Sequence, residues 1–168
     1  MALAFAAAQV HSEAPAAAEY QVKAGFLFNF TKFVEWPPDT FRGPEDAIKI
    51  CILGQDPFGS GLRDAVKDKV VANRPFVVRA VSSLQQATDC QILFVSASEQ
   101  KRYGSVLEEL KLHSVLTVSE AQNSTTSGGI INFRLKDEQV RIDIDVGAAE
   151  RAKLQISSKL LKLAEIRK

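Results

Sequence analysis

The chain is predicted to fold as an α/β three-layer sandwich, with a mixed, mostly parallel sheet and helices on both faces. Three features predict it. Short β-rich runs alternate with helical segments between residues 48 and 118, as in parallel strands joined by crossover helices. Two late apolar runs, 129–133 and 140–146, flank the polar turn Asp137-Glu138, which predicts an antiparallel hairpin. An aromatic helix precedes this array and a Leu/Lys-rich helix follows it.

The opening helix is read from residues 22–37, V-K-A-G-F-L-F-N-F-T-K-F-V-E-W-P, which hold four phenylalanines and the only tryptophan. At about 100° per residue, Val22, Phe26, Phe30, Phe33 and Val34 share one side. Leu27 and Trp36 flank that stripe, while Phe28, Thr31, Lys32 and Glu35 lie opposite. One stripe suffices for docking, so Phe28 is surplus: either a second layer covers it or a partner does. Pro37-Pro38 ends the helix, because proline lacks the N–H and disfavours helical geometry before it.

The remaining elements follow in order. Residues 47–53 read as a buried strand. Asp56 and Pro57 supply a cap and a first helical position, predicting a helix over 57–68. Residues 75–81 form a strand and Ser83 to Thr88 a helical turn. A strand over 91–96 leads to a helix capped by Ser98 and running to Leu112. Val115 to Val118 is a short strand, followed by a polar loop over 119–127. Gly128-Gly129 opens the hairpin. The last helix, 148–166, carries Ala149, Ala152, Ile156, Leu160 and Leu163 on one stripe, with Leu154 and Leu161 on a second ridge.

With 168 residues, one domain is the natural expectation, and that is enough chain to bury a core. A formal net charge of +1 provides no field to hold nucleic acid. No apolar run approaches the roughly 20 residues that cross a bilayer. Residues 1–18 read as the end of a secretory leader, with the apolar run Ala2 to Ala8 and the small-residue site Ala16-x-Ala18. The leader lacks a basic head, since no Lys or Arg precedes Lys23. Residues 19–168 form the domain. Cys51 and Cys90 sit in or beside neighbouring strand-like runs. In an exported chain they could pair as a disulfide; the alternative is two buried free thiols.

Catalytic and metal chemistry find little purchase. The two histidines are His11, in the leader, and His113, after a helix. Nucleophile-elbow, zinc-protease and P-loop spacings do not occur, and two cysteines with one distant histidine make no metal set. The single carboxylate Asp56 beside the first strand is too little for a phosphoacceptor cluster. The loop Gly54 to Gly61 could offer N–H groups to an anion, but capping by Asp56 explains it better. Lys153, Lys159, Lys162, Arg167 and Lys168 read as a solvated face that could also lean on an anionic membrane.

Six blocks carry a family resemblance: residues 22–37 quoted above, I-K-I-C-I-L-G-Q-D-P-F-G (48–59), C-Q-I-L-F-V-S (90–96), V-L-T-V-S-E (115–120), G-G-I-I-N-F (128–133) and D-V-G-A-A-E-R-A-K-L-Q-I-S-S-K-L-L-K-L-A (145–164). Together they resemble the YfiR-like family of exported regulators over residues 20–166. Gln91 stands where that family often has His, Asp145 where it has Asn, and a second cysteine pair near the Gly-Gly strand is missing. Redox control through that second pair is therefore not implied.

The resemblance implies a periplasmic protein with neither enzymatic activity nor cofactor. Its partner would be the periplasmic sensor domain of an inner-membrane diguanylate cyclase, which it represses. A sequestering protein associated with the outer membrane would relieve the repression. The expected contacts are the off-stripe groups Phe28, Leu154 and Leu161. The surplus apolar side chains would also suit a homodimer. The rival reading is a small-ligand sensor, with a pocket near Gly54 to Gly59 and Gly128-Gly129.

Overall fold

The computed structural model describes residues 13–120 and 129–167. Most of the expected leader, the loop over 121–127 and Gly128 lie outside them. Helix α1 (Glu13–Phe33) leads into a two-residue strand, β1 (Val34–Glu35). The main elements are then β2 (Ile48–Leu53), α2 (Gly61–Val66), β3 (Phe76–Val81), α3 (Leu84–Ala87), β4 (Ile92–Val95), α4 (Tyr103–Leu110) and β5 (Leu116–Ser119). The chain ends with β6 (Ile131–Lys136), β7 (Gln139–Asp145), α5 (Val146–Arg151), β8 (Gln155–Ile156), α6 (Ser158–Leu161) and β9 (Glu165–Arg167). Among the described residues, no helix is long and apolar enough to cross a membrane.

Seven strands form the main sheet in the order β3-β2-β4-β5-β6-β7-β9. From β3 to β6 the pairs are parallel; β6 and β7 form the antiparallel hairpin, and β9 runs parallel to β7. Asp137 and Glu138 turn the hairpin, both at positive φ, 53° and 63°. Every residue of β2, β4 and β5 is buried, as expected of parallel strands covered on both faces. Ile50, Ile52, Ile92 and Phe94 face one core with α1, α2, α5 and α6. Cys51, Leu53, Leu93 and Val95 face the other with α3 and α4. This is the three-layer α/β architecture that the sequence predicts.

Four local expectations are corrected. First, α1 is turned by roughly a quarter of its circumference from the apolar stripe. Lys23, Ala24, Leu27, Phe30 and Thr31 are buried, whereas Val22 is 48% exposed. Two polar bonds accompany this phase. Lys23 must reach Glu120, at 2.7 Å, and the Thr31 hydroxyl donates to the Phe28 carbonyl at 2.6 Å. The helix also stops at Phe33, before the prolines, because Val34 and Glu35 pair with Ile156 and Gln155.

Second, α2 begins at Gly61 rather than at Pro57. The Asp56 carboxylate accepts the Phe58 N–H at 2.8 Å, closing a tight turn, and Gly59 at φ +56° delays helical geometry. Third, the helix after β4 is not capped by Ser98. Ser96 caps a 3-10 turn over Ala97–Arg102, and α4 proper starts at Tyr103.

Fourth, the single helix predicted over 148–166 is two short helices and two strands. Asp145 caps α5, accepting the Ala148 N–H at 2.9 Å, and Lys153 turns the chain at φ +60°. β8 then pairs with β1, and β9 pairs with β7. Strand pairing overrides a helical Leu/Lys pattern whose propensity is a weak prior. Leu154 is consequently a core residue at 3% exposure, while Leu163, placed on the buried stripe by periodicity, is 70% exposed.

Candidate partner surface and polar crevice

Phe28 lies on a flank of α1 rather than opposite its buried side. It is half-buried, its ring centroid 5.5 Å from that of Phe76 on β3. The Lys32 ammonium lies over the Phe28 ring, 4.4 Å from its centroid, a geometry that favours cation–π attraction. Leu161 is half-buried against the same core, on α6, which packs on α1. Leu154 is enclosed within that core. The three candidates therefore separate into two surface groups around α1 and one internal group.

Cys51 and Cys90 are joined by a disulfide, with Cα atoms 6.1 Å apart. Both are buried, at 0% and 2% exposure. The bond ties β2 to the entrance of β4, closing a loop of 39 residues' separation.

A crevice of about 230 Å³ opens beyond the carboxyl ends of β4 and β5, lined by Glu19, Tyr20, Lys23, Gln100, Glu120 and Arg134 among others. Its centre is a buried ion triad. The Lys23 ammonium donates to Glu19 at 2.6 Å and to Glu120 at 2.7 Å. The Lys23 and Glu120 side chains are only 4% and 6% exposed. The ammonium also lies 4.7 Å from the Tyr20 ring centroid and 5.6 Å from that of Phe133. One cation thus has two carboxylates and two aromatic faces, which offsets the cost of taking it out of water.

The tyrosines record this burial. Desolvation pushes the Tyr20 phenol well above its ordinary value, and Glu120 beside it pushes further. Burial raises Tyr103 to about 12. The Tyr103 hydroxyl donates to the Val95 carbonyl at 2.8 Å and accepts the Glu120 N–H at 3.4 Å. Glu120 is therefore held from both sides. Sequence reading missed this cluster. Lys23 lies four residues after Glu19, a visible helical pair, but nothing local points to Glu120, ninety-seven positions away.

Within the two glycine sites expected of a ligand pocket, Gly54 and Gly129 are packed by the chain itself. At Gly54, φ is +95°, and an added Cβ would meet Ser98 Oγ at 2.6 Å and Glu99 Cγ at 2.7 Å. The Gln55 N–H donates to Ser98 Oγ at 2.9 Å. Open α/β sheets hold ligands at such a switch in strand order, here between β2 and β4; the segment Ser96 to Glu99 fills it. At Gly129 a Cβ would lie 2.6 Å from the Thr117 carbonyl oxygen, so that glycine permits close approach of two backbones. Among the described residues, no three His, Cys, Asp or Glu side chains are grouped to hold a metal ion.

The fold resembles the ABC domain in complex with L-Trp from Streptococcus pneumonia, with a TM-score of 0.53 and 10% identity. The likeness covers 91% of this chain but 60% of that one, and at this identity it speaks for the fold alone. Residues 20–165 match the family described as DUF4154, YfiR/HmsC-like. That span takes in α1 from Tyr20, the whole main sheet up to the start of β9, the disulfide and the ion triad apart from Glu19. The chain therefore belongs to the YfiR/HmsC-like family.

Proposed function

We propose that this chain represses an inner-membrane diguanylate cyclase by binding the cyclase's periplasmic sensor domain, which lowers cyclic-di-GMP output. The observation that carries the reading is membership, over residues 20–165, of the YfiR/HmsC-like family, a family of periplasmic regulators of cyclic-di-GMP signalling. The disulfide between Cys51 and Cys90 suits an oxidising compartment. The half-buried Phe28 and Leu161 are the apolar anchors we assign to such an interface. Repression works by population shift. The regulator biases the cyclase only as far as it binds the inactive state more tightly than the active one. An outer-membrane-associated protein that sequesters it would restore activity by mass action.

The test combines purified regulator, the isolated sensor domain and cyclic-di-GMP measurement in cells that carry the full-length cyclase. Saturable binding with lower cyclic-di-GMP supports the reading. Binding without any change in output, or no binding at all, rejects it. One observation favours a second reading, a small-ligand sensor: the crevice of about 230 Å³ with buried charge at the strand ends. A ligand in that crevice would raise the melting temperature and alter the exchange of Tyr20 and Glu120.

A further inference from the structure

β3 is the outer strand of the main sheet. It pairs with β2 on one side, and among the described residues no strand lies on the other. Its register fixes which backbone groups face outward. Ile48 lies opposite Phe76, and the Ile48 N–H donates to the Pro75 carbonyl at 2.8 Å. In a parallel strand, the N–H and C=O of one residue point to the same side, and the sides alternate along the chain. Pro75, Val77, Arg79 and Val81 therefore face β2. Phe76, Val78 and Ala80 turn their backbone groups to the open edge.

Natural sheets blunt such edges with short strands, inward charges or a cover. β3 runs for six residues, with Val77 41% exposed and nearby Val70 61% exposed. A groove beside it is lined by Arg63, Lys67 and Lys69 against Asp64 and Asp68. Lys32 adds a further cation above Phe28, whose ring packs on Phe76 at the start of the strand. With Lys32, four cations along this edge outnumber the two carboxylates, so a segment with acidic flanks would meet a net opposite charge.

We infer that β3 is a docking edge, which accepts an extended, acid-flanked segment of the partner as an added strand. The inference rests on the reading of the chain as a binding regulator and names the face and the partner chemistry. Its probe is a short synthetic peptide of alternating Thr and Val with Glu at both ends, compared with a Lys-ended counterpart. The Glu-ended peptide is expected to slow amide exchange at Phe76, Val78 and Ala80. The Lys-ended peptide should bind at least about tenfold more weakly.

Ala80→Pro removes one outward N–H at an exposed position and should weaken peptide binding by about tenfold or more while the ladder to β2 survives. If that variant does not fold, Lys67→Glu with Lys69→Glu, both exposed, should reverse the preference between the peptides. Equal binding of both peptides, or no protection at the three amides, overturns the inference. So does a wild-type dimer that Ala80→Pro dissociates, since the occupant would then be a second copy. Folded Ala80→Pro that lowers cyclic-di-GMP as well as wild type overturns the edge and leaves the regulatory reading standing. Peptide docking by a chain that leaves cyclic-di-GMP unchanged does the reverse.

Discussion

Replacing Lys23 by methionine keeps the length and the apolar stem of the side chain and removes only its charge. Glu120 is then left 6% exposed with the ammonium gone and only neutral groups such as the Tyr20 phenol beside its carboxylate. Removing one member of a buried pair typically costs about 3–5 kcal/mol, because the other charge stays desolvated. Glu19 is 21% exposed and can turn to water, so the lower figure applies, about 3 kcal/mol. For a chain of this size that is a fall of roughly 6–12 °C in melting temperature. Glu120→Gln should cost less, about 1 kcal/mol, because Glu19 still neutralises Lys23 and the amide oxygen can still accept. The double variant Lys23→Met with Glu120→Leu should recover most of the loss, since no charge remains buried. Urea unfolding followed by circular dichroism, with the disulfide intact, measures all three. If Lys23→Met lies within about 1 kcal/mol of wild type, the triad is not the constraint that sets the phase of α1.

Replacing both cysteines by serine should cost about 4 kcal/mol in the chain-entropy model, read as a lower urea midpoint. Phe28→Ser should lose about 2 kcal/mol of stability, about half the cost of truncating a fully buried phenylalanine. The same variant should weaken sensor-domain binding by about thirtyfold, so folding and binding must be measured separately. Tyr20 and Tyr103 are the only tyrosines, and both are raised above the ordinary phenol value. The unfolded chain loses these protons near pH 10 while the native chain keeps them. Stability should accordingly fall as pH rises from about 10 toward 12. Absorbance at alkaline pH should show no tyrosinate near pH 10 until the protein unfolds. Gly54→Ala places a Cβ 2.6 Å from Ser98 Oγ at φ +95° and should cost more than about 1 kcal/mol, measured by thermal denaturation.

The sheet was legible because its strands are β-branched runs bounded by glycine, proline and polar turns, and these signals are local. Ile92 to Val95 reads as a continuous apolar run, and Ile48 to Leu53 as one interrupted only by Lys49, since both of their faces are buried. The phase of α1 was not legible. Counting apolar positions puts Val22 on the stripe and Leu27 on its flank, but Lys23 settles the rotation through a carboxylate contributed by the end of β5. The C-terminal segment failed for a similar reason. Its periodicity is helical, yet Gln155-Ile156 and Glu165 to Arg167 satisfy their backbones on β1 and β7, partners far away in sequence. The disulfide was half legible: two cysteines near neighbouring strands, with pairing left open until the strands were placed side by side. Among the partner candidates, Phe28 is half-buried because the turn of α1 brings it from opposite the buried side to its flank, and Leu161 is half-buried because the last helix broke. That same break carried Leu154 inward.

We propose that this chain acts by gripping a membrane cyclase's sensor domain. The most direct measurement titrates purified chain onto that domain and follows cyclic-di-GMP made by the full-length cyclase in the same mixture. Product formation should fall along the binding curve, and Phe28→Ser should shift both curves together. A sensor domain saturated with regulator while the cyclase runs at an unchanged rate would contradict the account.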